Sequence, residues 1–277
     1  MIESRVVRRW GLALCWSVIV AGVLVQAQGT QKPYKPESGQ AGKDVVWVPT
    51  PQALVDKMLE MAKITPQDFL MDLGSGDGRT VITAAKRGTR AMGVEYNPDM
   101  VELSKANAAK EGVSDKATFV NADLFETDFS KATVITMFLL PSINLKLRPK
   151  ILDMKPGTRI VSNSFDMDDW VADESAEVTE GCESYCRAML WIVPAKVEGT
   201  WKSPHGDLTI TQAFQKISGT VANGTSSTPV TGGLRGEEIS FTDGNAQYSG
   251  KVNGNTIDGT VTTGGRSTPW KATRAVK

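Results

Sequence analysis

Histidine is almost missing: His205 is the only one in 277 residues. Cysteine is scarce too, with Cys15, Cys182 and Cys186. Structural zinc centres draw four Cys or His ligands, commonly as two spaced pairs. One histidine far from one cysteine pair excludes such a centre, so no metal is expected. Net charge is also missing, because 31 Lys and Arg balance 31 Asp and Glu. Neutralising a phosphate backbone needs a clustered cationic surface, so no nucleic-acid partner is expected. A membrane-spanning helix needs about 20 apolar residues. The apolar run from Gly11 to Val25 has 15 and falls short.

That run still has a use. Arg5, Arg8 and Arg9 precede it, and Val25-Gln26-Ala27 follows with residues a signal peptidase accepts. Charged, apolar and small-residue regions in this order read as a secretory signal over 1–27, cleaved after Ala27. An uncleaved N-terminal anchor, with membrane association through this segment, and a buried helix are the alternatives. Removing 1–27 takes away three Arg and one Glu, leaving 28 basic against 30 acidic residues and a net charge of −2. Three arginines before the run favour a cytosolic N-terminus, which puts the folded part in an exported, periplasmic or membrane-anchored setting. There Cys182 and Cys186 can join. A pair of ordinary thiols is the equal alternative.

Residues 28–44 are polar and rich in Gln, Lys, Gly and Pro, and read as a flexible linker. From 45 to 195 strand-like and helix-like segments alternate. Thr50 is expected to cap a helix with Pro51 at its first position, burying Leu54, Met58 and Met61. Strands are expected at Phe69–Asp72, Ala91–Glu95, Ala117–Asn121, Val134–Leu139 and Arg159–Phe165. Helices are expected over Arg79–Arg87 and from Asn97-Pro98 to Gly112. A last hairpin over 175–194 carries Cys182 and Cys186 near its turn. The alternation implies an α/β fold, a doubly wound, mostly parallel sheet with helices on both faces.

The grammar changes near Val197. The last 81 residues hold 13 of the 26 glycines and neither Met nor Cys. Short alternating runs are punctuated by Asn223-Gly224 and Asn253-Gly254, which are hairpin turns by composition. Ile217-Ser-Gly-Thr-Val221, Tyr248-Ser-Gly-Lys-Val252 and Ile257-Asp-Gly-Thr-Val261 echo one another. Residues 196–277 thus read as a small antiparallel all-β domain, a barrel or a sandwich. Trp201 and Trp270 are expected in its core.

The chemistry concentrates in FLMDLGSGDGRTV, residues 69–81. A loop after the first strand of a βαβ unit lies at the carboxyl edge of the sheet, where ligands bind. Gly74, Gly76 and Gly78 allow close approach to backbone N–H groups. The spacing is Gly-x-Gly-x-Gly, unlike the Gly-x-Gly-x-x-Gly of dinucleotide sites, which argues against a nicotinamide oxidoreductase. Asp72 before the loop suits a cationic ligand. Glu95 ends the second strand, where an acid accepts from ribose hydroxyls. Asp123 follows the third strand, within reach of an adenine amino edge. The fourth strand ends in the apolar, aromatic Thr136-Met-Phe-Leu-Leu-Pro141, suited to desolvating an amine or simply to core. No Asn-Pro-Pro-Tyr motif for planar nitrogens is present. Asn144 caps a helix or orients an acceptor. Asp166, Asp168 and Asp169 beside Trp170 form either a solvated loop or an acidic rim for a lysine. Val48, Pro49 and Thr50 form a candidate lid, and Arg79 has carboxylates nearby to pair with.

DLGSGDGR, GVEYNP and VNADLF resemble the cofactor motifs of the class I S-adenosylmethionine-dependent methyltransferases, over roughly residues 46–195. The resemblance implies S-adenosylmethionine as cofactor. It implies that Asp72, Gly74, Gly76 and Gly78 hold the methionine part, Glu95 the ribose and Asp123 the adenine. WVPTP followed by DLGSGDGRTVITAAKRG is also similar to the lysine methyltransferases that modify the ATP-synthase c-subunit. The implied activity is methyl transfer to a protein lysine or small-molecule acceptor. The catalytic residues stay unassigned, because the cofactor brings the reactivity and the protein aligns it. The competing reading is an exported, methyltransferase-like binding protein without catalysis, contacting a partner through its β-domain. S-adenosylmethionine is made in the cytosol, which keeps a cytoplasmic location open.

Overall fold

The computed structural model describes Met1 and residues 34–275. The apolar N-terminal run and its cleavage site lie outside the described residues, as do the first residues of the linker. No helix among the described residues is long and apolar enough to cross a membrane.

Strands with both faces covered bury nearly every side chain, while their helices bury one stripe. This rule generates the layers. Helix α1 (Gln52–Met61) buries Leu54, Val55, Met58 and Leu59. Strand β1 (Phe69–Leu73) buries four of its five residues. Then come α2 (Arg79–Lys86), β2 (Arg90–Glu95), α3 (Pro98–Lys110), β3 (Ala117–Asn121), β4 (Val134–Met137), α4 (Pro141–Leu152), β5 (Arg159–Asn163), β6 (Glu174–Glu177) and β7 (Arg187–Ile192). The sheet order is β3-β2-β1-β4-β5-β7-β6. Strands β1 to β5 pair in parallel, and β7 runs antiparallel to both its neighbours. Helices α1 to α3 cover one face, through Leu54, Val81 and Val101. The other face is covered by α4 and by Phe129, Met154 and Trp170.

Several boundaries differ from the sequence reading. Pro51, not Thr50, is the N-cap of α1. The Thr50 hydroxyl accepts the side-chain amide of Asn163 instead. Strand β4 stops at Met137, because the chain then turns to start α4 at Pro141. Strand β5 stops at Asn163, because Ser164 takes a left-handed φ of 58°.

Beyond β7 the chain forms a barrel: β8 (Gly199–Ser203), β9 (Gly206–Ala213), β10 (Lys216–Asn223), β11 (Ser226–Arg235), β12 (Glu238–Thr242), β13 (Ala246–Asn253), β14 (Thr256–Thr263) and β15 (Arg266–Arg274). Each strand is antiparallel to the next, and β15 returns to β8. Of the barrel and the sandwich, the closed barrel is present. Its interior is filled, as eight strands dictate, by side chains including Trp201 and Trp270. Phe241 stacks on Tyr248 at 4.5 Å, and Trp270 meets both rings edge-on.

Candidate active site

The strand order reverses at β1, which has β2 on one side and β4 on the other. A crevice opens at the carboxyl ends of such strands. Here it is a cavity of about 540 Å³, within the range of small-molecule sites. Asp72, Glu95 and Asp123 all line it. The structure therefore brings together the three acids that the sequence placed on three successive strand tips.

Asp72 sits opposite Thr136 in the β1–β4 register and accepts its hydroxyl at 2.7 Å. Its carboxyl is buried. Burial pushes its pKa up to about 7, the Glu95 and Asp77 charges push the same way, and hydrogen bonds from Thr136 and Thr80 oppose them. A carboxylate this costly to ionise gains from a cation placed against it.

The loop after Asp72 needs its glycines. Gly74, Gly76 and Gly78 have φ of 79°, 53° and 82°, conformations that side chains disfavour. Space is short as well. A Cβ on Gly76 would lie 2.4 Å from the Trp47 Nε1, and one on Gly78 2.8 Å from the Phe119 ring. Gly74 and Gly76 line the cavity. Gly78 does not; it lies behind the loop against Phe119 and Ser104, and its need is packing.

Glu95 holds this loop to the end of β2. Its two oxygens accept the backbone N–H of Gly76 and of Asn97, each at 2.9 Å. Carboxylate oxygens have lone pairs to spare, so further donors can be met. Asp123 accepts the Phe125 N–H at 2.9 Å and pairs with Lys43. The Lys43 hydrogen bond is the main cause holding its carboxyl below the usual range. Lys43 also stands 4.8 Å above the Tyr96 ring.

Lys43 belongs to a stretch read from sequence as linker, so that reading needs correction. Residues 39–47 fold back on themselves, with Gly39 donating to the Trp47 carbonyl and Trp47 to the Gln40 carbonyl. Residues 40–50 line the cavity as a strap, which contains the candidate lid Val48, Pro49 and Thr50. Two clamps hold its end. Arg79 forks onto Asp77, with a 2.6 Å contact, and donates to the Thr50 carbonyl at 2.8 Å. Asn163 donates to the Thr50 hydroxyl at 3.2 Å.

In the wall of the cavity Phe138, Phe165 and Tyr185 meet, with ring centroids 5.1 to 5.9 Å apart. Tyr185 comes from the β6–β7 loop. Cys182 and Cys186 are joined in a disulfide there, which decides between the two sequence readings. Asn144 neither caps a helix nor faces an acceptor. It is buried within α4 and donates to the Phe165 and Asp166 carbonyls. Trp170 is buried against Trp191 and Phe214, so it forms no rim. Sequence reasoning missed Lys43 and Tyr185, and gave Thr136 and Trp47 no role of their own although both stand in stretches it singled out, Thr136-Met-Phe-Leu-Leu-Pro141 and WVPTP. Tyr185 carried a signal as well, its place between the two cysteines.

Residues 72–174 match the family model described as the ANTKMT methyltransferase domain. A protein-lysine N-methyltransferase of Saccharolobus islandicus is 46% identical over 140 residues, half of this chain and 87% of that protein. The human lysine N-methyltransferase of the ATP-synthase c-subunit is 31% identical over 173 residues, 62% of this chain and 72% of that protein. Among solved structures, an RNA methyltransferase from Salinibacter ruber in complex with S-adenosyl-L-homocysteine is 45% identical. It covers 54% of this chain and 96% of its own, with a TM-score of 0.51. These relatives leave the reading of a binding protein without catalysis unsupported. The chain belongs to the class I S-adenosylmethionine-dependent methyltransferases and is an enzyme with S-adenosylmethionine as its cofactor.

Proposed function

We propose that this enzyme methylates the side-chain amine of a lysine in a protein. The observation that carries the reading is the aromatic surface of Phe138 and Phe165 in the same cavity that the three acids line. The lysine specificity of the Saccharolobus and human relatives supports it, over a small-molecule acceptor.

The residues present suit the cofactor. Asp72 and the exposed backbone of Gly74 and Gly76 would take its amino-acid end, where the buried carboxyl favours an ammonium. Glu95 would take the ribose hydroxyls and Asp123 the adenine edge. Gly78 serves by letting α2 start close to β3. The cofactor supplies a methyl group on a sulfonium. The chain's part is alignment and desolvation. A lysine amine attacks only when neutral, and its ordinary pKa is about 10.4. Apolar surroundings disfavour the ammonium and lower that value. Phe138 and Leu139 supply such surroundings, and aromatic faces then favour the cationic, methylated product.

The disulfide supports a protein that works in an oxidising compartment, in line with an exported enzyme. The test uses the full chain, methyl-labelled S-adenosylmethionine, and a mixture of proteins and RNA. After hydrolysis, label in ε-N-methylated lysine is expected. Label confined to nucleosides, as the name of the Salinibacter protein invites, would overturn the reading.

A further inference from the structure

Tyr185 is 44% exposed, yet its ring is not idle. It meets Phe138 edge-on at 5.1 Å and Phe165 at 5.9 Å. The three rings come from three places in the chain: the turn after β4, the turn after β5 and the β6–β7 loop. They converge in the wall of the cavity. Tyr185 also has a φ of 56°, a left-handed backbone that non-glycine residues seldom adopt. Such a conformation persists where the surroundings hold it. The Cys182–Cys186 disulfide closes the loop around Glu183, Ser184 and Tyr185. Below it, Val178 donates to the Cys186 carbonyl at 2.8 Å and fixes the hairpin neck. Glu180 and Glu183 are exposed on the same loop and favour the approach of a cation.

We propose that this disulfide-closed loop is an acceptor-recognition element. It presents Tyr185 as the third wall of an aromatic surface that takes an alkylammonium chain, the chemistry of lysine and its methylated forms. The inference rests on the lysine reading above and deepens it by naming the residue and the covalent clip. The faces of aromatic rings, which carry the negative part of the ring quadrupole, suit a cation whose hydrogen-bonding capacity has been replaced by methyl groups. Opening the disulfide frees the loop to leave its left-handed conformation. Acceptor binding then weakens, while the acids and glycines that line the cavity are untouched.

The test is a binding measurement, independent of turnover. Butyltrimethylammonium, a mimic of the trimethylated lysine side chain, is titrated into the full chain, with and without S-adenosylhomocysteine. Binding is followed by NMR shifts. Wild-type protein is expected to bind it. Tyr185→Ala should weaken binding tenfold or more, Tyr185→Phe should stay within about twofold of wild type, and the Cys182→Ser, Cys186→Ser double variant should resemble Tyr185→Ala. S-adenosylhomocysteine affinity should be equal in all four proteins. No binding by the folded wild type, or equal binding by Tyr185→Ala, would overturn the proposal. Undiminished binding by the cysteine variant would remove the disulfide from it. Failure of the lysine reading shows separately, as label on an acceptor other than lysine.

Discussion

Asp72 is the residue on which most physical terms converge. Its pKa, raised to about 7, has two consequences of opposite direction. A group that binds its proton more tightly when folded stabilises the protein at low pH. That contribution is complete below the ordinary carboxylate value of 3.8 and is lost as pH rises through 7. Ligand-free protein should therefore lose stability between about pH 4 and 7, and Asp72→Asn should flatten this loss, as read from thermal unfolding. Cofactor binding runs the other way. An ammonium set against Asp72 needs the carboxylate ionised, so binding below pH 7 must expel a proton. Affinity should rise with pH up to about 7 and then level off, by at most tenfold per unit for one proton. Calorimetry in buffers of different ionisation enthalpy should show the released proton, and Asp72→Asn should show none. Asp72 was legible in the sequence because an acid at the end of an apolar strand has few other uses. Its partner Thr136 was not, since only the β1–β4 register sets the two side by side.

At the scale of elements, the strap over residues 39–50 decides how the cavity opens. Lys43 spends its charge on Asp123, the acid expected to meet the adenine. The pair is partly exposed, and such pairs are worth about 0.2–1 kcal/mol. Lys43→Ala should free Asp123 and tighten cofactor binding by about 2–5-fold. A weakening would make Lys43 a cover for bound cofactor instead of a competitor. The opposite change is expected at the clamp. Arg79→Ala removes the hold on the Thr50 carbonyl and should speed cofactor dissociation in stopped-flow measurements, with unfolding little changed. The lid over Val48, Pro49 and Thr50 and a carboxylate partner for Arg79 were legible in sequence; the part of the strap before them was not. Residues 28–44 have the polar composition of a linker, and the Lys43–Asp123 pair joins residues 80 positions apart. The parallel sheet was legible, because its strands carry near-continuous apolar runs bounded by Gly and Pro. The exits after β4 and β5 were read too long, because Phe138 and Phe165 look like strand residues and serve as site walls.

At the scale of the whole molecule, the barrel and the cavity lie at opposite edges of the sheet. Phe214 stacks on Trp170 at 5.9 Å, Gln215 donates to the Val171 carbonyl, and Ala195 donates to the Gly236 carbonyl. These contacts reach the end of β7 that faces the start of β5. No barrel residue lines the active-site cavity. The barrel is therefore expected to act through the sheet edge it packs on and not through contact with the cofactor. Phe214→Ala should lower unfolding free energy by about 2 kcal/mol, less than a fully buried Phe would cost, and leave cofactor affinity unchanged. A loss of affinity would show that the barrel shapes the site. The all-β character of this part was legible in its glycine-rich alternation. Closure into a barrel was not, because it depends on the β15–β8 pairing of Thr273 with Lys202 and Arg274 with Trp201, about 70 residues apart.

The acids of the strand tips are expected to hold S-adenosylmethionine, and every role assigned to the cavity depends on it. The most direct measurement is a calorimetric titration of S-adenosylhomocysteine into the full chain and into Glu95→Ala. Glu95 is expected to accept from the ribose hydroxyls while it anchors Gly76 and Asn97. Its loss should cost about 1–3 kcal/mol of binding, a weakening of roughly 5- to 150-fold. Equal affinity in the two folded proteins would contradict this assignment and remove Glu95 from the cofactor site.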